Sequence, residues 1–190
     1  MSSNKIIIIT APSGAGKTSI VHYLLKKYPE KLSFSVSATT RKAREEEVNG
    51  RDYYFMREDE FKTKIHNNEF VEWEMVYDGK YYGTLQSEIE RIWSTGKTPV
   101  LDIDVKGALR IHEQYPDCSI SIFIQPPSVK ELKKRLESRG TETAESLAAR
   151  VNKAAYELSF KDHFNHTVIN SNLQNACAET EKLINNYISS

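Results

Sequence analysis

Cysteine is scarce in this chain of 190 residues, with Cys118 and Cys177 far apart in apolar or helical surroundings. That excludes a disulfide-stapled scaffold and predicts buried free thiols. No C-x-x-C pair or Cys/His zinc spacing occurs, and His22, His66, His112, His163 and His166 are scattered without a ligand pattern, so all five are read as surface or packing residues. Net charge is missing too: 26 basic residues cancel 26 acidic ones, which argues against broad electrostatic capture of nucleic acid or an anionic membrane. An anion site must come from local clustering. No apolar run approaches the ~20 residues of a membrane span, and the start Met-Ser-Ser-Asn leads into a strand without a signal segment. A cytoplasmic location is expected, with no nucleic-acid, membrane or protein partner evident. Repeats, low-complexity tracts and flexible linkers are absent, so one domain spanning residues 1–190 is the expectation.

What is present begins at Lys5. Ile6 to Ile9, four consecutive β-branched residues, suit a strand covered on both faces in a parallel sheet. Ala11, Pro12, Ser13, Gly14, Ala15, Gly16, Lys17, Thr18 and Ser19 follow. Their order is that of a phosphate-cradling loop, with Ala11 where G-x-x-x-x-G-K-[ST] has its first glycine. Gly14 and Gly16 allow the torsions that turn several N–H groups toward a polyphosphate, and the helix beginning near Lys17 adds its positive dipole end. Lys17 is placed to reach the β- and γ-phosphates, and the Thr18 hydroxyl to ligate Mg²⁺.

Beyond that helix, Leu32 to Val36 read as a strand, Tyr53 to Met56 as a short one and Glu58 to Asn67 as a helix. Glu69 to Val76 and Tyr81 to Thr84 alternate around Asp78-Gly79, a hairpin-type turn. The α/β rhythm resumes with a helix from Gln86 to Trp93, a strand Pro99 to Ile103, a helix Val105 to Tyr115 and a strand Ile120 to Ile124. Ser128 and Glu131 form a capping box for the next helix. A charged turn, Ser138 to Glu145, leads to a helix ending near Phe160, then a strand at Val168 and Ile169 and a closing helix from Ala176 to Ile188. The prediction is a doubly wound parallel α/β sheet of the P-loop NTPase type, with core residues 1–36 and 85–190, an inserted mixed α/β subdomain over about 37–84, and a helical lid over about 127–155. Trp73 and Trp93 are read as packing residues.

Ser37 to Tyr53 carries Arg41 and Arg44 beside a glutamate run. Alone, such a stretch reads as a solvated, self-paired surface. Beside a phosphate loop, the two guanidinium groups become a candidate clamp for a second phosphate, with Tyr53 as a hydroxyl donor.

In sequence order, Ala-Pro-Ser-Gly-Ala-Gly-Lys-Thr, Ser-Ala-Thr-Thr-Arg-Lys-Ala-Arg, Val-Asn-Gly-Arg-Asp-Tyr, Asn-Glu-Phe-Val-Glu-Trp, Tyr-Tyr-Gly-Thr, Leu-Asp-Ile-Asp-Val-Lys-Gly and Leu-Lys-Lys-Arg-Leu-Glu-Ser-Arg-Gly closely resemble the guanylate kinases, a family of P-loop nucleoside monophosphate kinases that phosphorylate GMP with ATP. The match covers about residues 5 to 170. The resemblance implies that Arg41, Arg44, Tyr53 and Tyr82 hold the GMP phosphate, with Gly83 beside them. It assigns Ser37, Glu72, Thr84 and Asp104 to the guanine, and Asp102 to the water around Mg²⁺. It assigns Lys17, Arg135, Arg139 and Arg150 to catalysis on the ATP phosphates and places Asn170 near the adenine. Guanine carries N1–H and N2–H₂ donors on one edge that a carboxylate such as Glu72 can accept, whereas adenine presents an acceptor at N1. On spacing alone, Glu72 would be an outward residue on a half-exposed strand and Asp102 a helix cap. Two other functions stay open: a non-catalytic guanylate-kinase-like protein-binding module, and a kinase of the same fold acting on another phosphate acceptor.

Overall fold

The computed structural model describes residues 4–77, 79–138 and 144–189. Asp78 of the expected hairpin turn and Arg139 of the expected lid lie outside them, as does most of the turn from Ser138 to Glu145. Strand β1 (Ile6–Thr10) is buried along its whole length. It runs parallel between β7 (Thr98–Asp102) and β8 (Ser119–Gln125), with β2 (Leu32–Phe34) and β9 (His166–Ile169) at the edges. Because side chains alternate along a strand, Ile7 and Ile9 enter the layer formed with α1 (Lys17–Lys27), α5 (Val129–Glu137), α6 (Ala144–Leu158) and α7 (Leu173–Ser189). Ile6 and Ile8 enter the opposite layer with α3 (Gln86–Ser94) and α4 (Val105–Gln114). Each fully buried isoleucine contributes roughly 1.5–3 kcal/mol, which pins the phosphate-loop strand at the centre of the sheet.

The segment between β2 and α3 forms a sheet of its own, in the order β4 (Tyr54–Phe55), β3 (Ala38–Thr39), β6 (Lys80–Leu85) and β5 (Phe70–Tyr77). Helix α2 (Glu58–His66) covers it, and Ala38, Phe61, Phe70 and Leu85 make a separate small core in which Phe61 and Phe70 stack at 4.3 Å. Glu72 pairs with Thr84 and Trp73 with Gly83 across the β5–β6 hairpin. A Cβ at Gly83 would lie 2.7 Å from the Glu72 carbonyl, so only glycine lets these strands meet.

Four expectations need correction. The stretch after Ser37 contains β3, whose Ala38 and Thr39 are fully buried despite their polar neighbours. The second strand ends at Phe34, and the Val36 N–H goes to the Glu88 carboxylate at 3.0 Å. Only half of the capping box forms: Ser128 Oγ accepts from the Glu131 N–H at 3.1 Å, while the Glu131 carboxylate pairs with Arg135 at 3.5 Å. Trp73 is 38% exposed against Tyr81, whereas Trp93 is partly buried and donates to the Lys5 carbonyl at 3.0 Å. Cys118 and Cys177 are both free thiols. No helix among the described residues is long and apolar enough to cross a membrane.

Candidate active site

The carboxyl ends of β1 and β7 carry the first half of the site. Gly14 (φ 89°) and Gly16 (φ 97°) take the left-handed torsions expected of the loop, and Gly16 is the N-cap of α1, whose first turn has no acidic residue. Ala11 is accommodated at 6% exposure, and Ala15, fully buried, closes the turn by donating its N–H to the Pro12 carbonyl at 3.1 Å. Lys17 Nζ bonds the Ile103 carbonyl at 2.6 Å and pairs with Asp102 at 2.7 Å. The Thr18 hydroxyl faces the other Asp102 oxygen at 3.4 Å. Ammonium, hydroxyl and carboxylate thus converge at the mouth of the loop.

Asn170, expected near the adenine, braces the phosphate loop. It is 4% exposed at the end of β9, donating Nδ2–H to the Ala15 carbonyl at 2.7 Å, while its own carbonyl accepts from Arg135 at 3.1 Å. A Cβ at Gly16 would overlap the Asn170 amide, so this side chain is a strut under the loop. On α6, Arg150 reaches the Ser13 hydroxyl at 3.3 Å.

A cavity of about 320 Å³ is walled by the loop from Ala11 to Gly14 and by Gly16, Lys17, Thr18 and Ser19. A second, of about 230 Å³, gathers Ser37, Tyr53, Glu72, Tyr82 and Gly83 with Asp102 and Asp104. Asp104 and Lys153 belong to both walls, so the two cavities meet there. Six separated stretches of sequence therefore converge on one insertion cavity.

Glu72 is its most unusual wall residue. It is 7% exposed and accepts from the Thr84 hydroxyl at 2.8 Å. Burial raises its carboxyl to about 7, with nearby Asp104 adding to the rise and Thr84 and Arg110 opposing it. The other Glu72 oxygen would stand 2.7 Å from a Cβ at Gly107, in the first turn of α4. Gly107 also donates its N–H to the Asp104 carboxylate, the N-cap of α4, at 2.8 Å. Asp104 is therefore both a helix cap and a wall residue. Gly107 was not among the expected site residues, and a glycine just inside an amphipathic helix was the signal for it.

Arg41 and Arg44 are not in the cavity wall. Both terminal nitrogens of Arg41 bind Glu47 at 2.6 Å, and the guanidinium lies over the Tyr53 ring at 4.8 Å. The bidentate bond to Arg41, reinforced by the Arg44 N–H, holds the Glu47 carboxyl at about 2. The self-paired reading of this stretch thus holds for the Arg41 guanidinium. Burial raises the Tyr53 phenol, which meets Tyr82 edge-on at 6.0 Å. Lys153 and Glu157, one turn apart on α6, were also missed; they line the loop cavity, and Glu157 is 7% exposed with its carboxyl raised by burial.

The family model described as guanylate kinase matches residues 3–187. A guanylate kinase of Bacteroides fragilis is 44% identical over 97% of this chain and 90% of its own length, and one from Porphyromonas gingivalis is 46% identical over 97% of this chain and 98% of its own. The crystal structure of a guanylate kinase from Anaplasma phagocytophilum superposes with a TM-score of 0.77 at 27% identity, covering all of this chain and 89% of that one. With a phosphate loop on β1, a second cavity built by an inserted sheet and a match running nearly end to end, the chain belongs to the guanylate kinase family.

Proposed function

We propose that this protein transfers the γ-phosphoryl group of ATP to GMP, giving ADP and GDP, in purine nucleotide metabolism. The observation that carries the reading is the buried Glu72 carboxylate in the wall of a cavity that adjoins the phosphate loop at Asp104. In its ionised form it accepts from guanine N1–H and N2–H₂, with Ser37, Thr84 and Asp104 as companions. Adenine would leave the carboxylate without donors, which is how such a site rejects it.

ATP lies along the loop, its phosphates received by the backbone from Ala11 to Gly16, by Lys17 and by the hydroxyls of Ser13, Thr18 and Ser19. Lys17 exchanges its contacts with Asp102 and Ile103 for phosphate oxygens. The Thr18 hydroxyl and Asp102 form an all-oxygen donor pair that suits Mg²⁺, a cation that keeps several waters and takes its remaining ligands from phosphates. Bound there, Mg²⁺ would neutralise charge on the phosphate oxygens. Arg135 and Arg150 add positive charge from the helices α5 and α6, and the family resemblance gives Arg139 the same role. Arg41 and Arg44, with Tyr53, Tyr82 and Gly83, receive the GMP phosphate. Phosphoryl transfer needs alignment and charge neutralisation more than covalent help, so no nucleophilic side chain is required.

A coupled ADP-release assay with ATP, Mg²⁺ and a panel of nucleoside monophosphates tests the reading. GMP is expected to give the highest kcat/KM. Absence of ADP release with every acceptor would point to a binding module, and a preferred acceptor other than GMP would end the guanine assignment.

A further inference from the structure

We infer that Glu88 is a positioning residue that fixes the insertion-side wall of the acceptor cavity to the core sheet, and so sets affinity for the monophosphate without touching it. The inference rests on the phosphoryl-transfer reading above. Glu88 lies in the first turn of α3 and is 2% exposed. Its Oε1 accepts from the Val36 N–H at 3.0 Å and from Arg91 Nη2 at 2.9 Å. Its Oε2 accepts from the Tyr54 hydroxyl and from Arg91 Nε, both at 2.8 Å. Four donors from three segments meet on one carboxylate.

Those segments are the ones that matter to the cavity. Val36 immediately precedes Ser37, and Tyr54 immediately follows Tyr53; Ser37 and Tyr53 are both wall residues. The Tyr54 N–H also donates to the Ser37 carbonyl at 2.9 Å, strapping the two segments together. The other side of the joint is rigid: Ile89 and Ile92 of α3 are buried, and Ile89 packs in the core layer under β1 and β7. Glu88 is thus a pin between α3 and two segments of the acceptor wall, the entry to the insertion at Val36 and the start of β4 at Tyr54.

A carboxylate buried against a half-exposed arginine is a poor device for stability, because taking the charge out of water costs much of what the pairing returns. What it supplies is direction, since a carboxylate with four charge-assisted bonds tolerates little displacement of its donors. Burial alone would raise this carboxyl; the bonds from Arg91, Val36 and Tyr54 outweigh it and hold the group below the ordinary carboxylate range. Glu88 is therefore ionised and fully engaged near neutral pH. Glu90, on the same helix, is exposed and enters no such network, so acidity in this turn is not the reason for the joint.

The test uses Glu88→Gln, Tyr54→Phe and the double variant, with GMP and ATP varied separately and melting curves recorded. Glu88→Gln is expected to raise KM for GMP about 5- to 30-fold and Tyr54→Phe about 3- to 10-fold, on the scale of one lost charge-assisted bond. KM for ATP should stay unchanged and kcat should stay within about twofold. The double variant should be little worse than Glu88→Gln alone, because the two changes delete a shared bond. Unchanged KM for GMP in both single variants would overturn the inference. So would parallel rises for GMP and ATP with a lowered melting midpoint, which is what a merely structural residue produces. Should Glu88→Gln fail to fold, Tyr54→Phe keeps the ring and decides alone. A wild-type protein without GMP-dependent turnover would instead remove the underlying reading.

Discussion

The two halves of the site are built in opposite ways. The loop side is framed by one stretch, Ile6 to Ser19, in which a buried strand, a glycine turn and a helix follow each other without interruption, with Asp104, Lys153 and Glu157 completing its cavity wall. The insertion side is collected from Ser37, Tyr53, Glu72, Tyr82 and Asp104, residues that only the second sheet and the start of α4 bring together. Their electrostatics differ as well. On the loop side a lysine and an aspartate meet at the cavity mouth, where incoming phosphates can displace the pair. On the insertion side Arg41 is held bidentately by Glu47, and Glu72 is buried without a cation bonded to it. In the proposed reaction, phosphate binding would be an exchange of partners on half-buried groups, and base reading the use of a group already stripped of water.

The largest effect that could break this division is expected from Lys17→Ala. Its ammonium bonds phosphates in the proposed reaction and only Asp102 and the Ile103 carbonyl without them. Turnover should fall about 10³-fold or more, the scale of a lost transition-state charge clamp. GMP and AMP should suffer equally, since the acceptor base is read elsewhere, and the melting midpoint should change little because the side chain is outside the core. Steady-state rates with both acceptors check it. Near-normal turnover, or a loss confined to GMP, would erase the distinction between the two halves.

The same division explains what could be read from the sequence. The loop was legible because its chemistry is local: the spacing of Gly14, Gly16, Lys17 and Thr18 holds whatever the rest of the chain does. The alternation of helices and strands was legible for the same reason, through periodicity. On the insertion side, Glu72 on its own looks like an outward strand residue, and only the family resemblance marked it. Its burial depends on Gly107, 35 positions later, admitting its carboxylate to the first turn of α4. Strand β3 was missed because two residues are too few for a period, and their burial is decided by partners in β4 and β6. Lys153 and Glu157 look like any charged pair one turn apart until the cavities show what they face. The support that the Asn170 amide gives the loop is a contact 155 positions apart in sequence, which no local pattern announces.

A smaller and more selective effect sharpens the comparison from the other side. Glu72→Ala removes the acceptor for two guanine donors, and hydrogen bonds to charged groups are worth roughly 1.5–3 kcal/mol. The fall in kcat/KM for GMP should be on the order of 10- to 150-fold, at about 1.4 kcal/mol per decade. AMP never gained from the carboxylate, so its rate should not fall in parallel and the preference should narrow. The melting midpoint should barely move, because the lost bond to Thr84 is offset by removal of a buried acid. Equal losses for both acceptors with a large fall in midpoint would make Glu72 structural.

The mildest perturbation is pH, and on the insertion side it acts through Glu72. Glu72 is raised from 4.5 to about 7 chiefly by burial, so the free protein carries it increasingly protonated below neutrality. A protonated carboxyl cannot accept from both guanine donors at once, and kcat/KM follows the ionisation of the free enzyme. For GMP it should rise by about tenfold between pH 6 and pH 8, since each unit below the transition costs about a decade of the ionised form. The phosphate of any nucleoside monophosphate also ionises near pH ~6. The same profile on Glu72→Gln isolates that contribution, and its slope should be the shallower one. Stability should move oppositely. The folded chain holds this proton more tightly than the unfolded chain does, so stability is greatest below about 4.5 as far as this group is concerned and is lost as pH rises through about 7. The loss is on the order of 3 kcal/mol at most. Denaturant midpoints of wild type and Glu72→Gln compared across that window give the sign directly: wild type should lose stability relative to the variant as the pH rises. Coincident activity profiles for the two proteins would mean that the Glu72 carboxylate is not the group that reads the base.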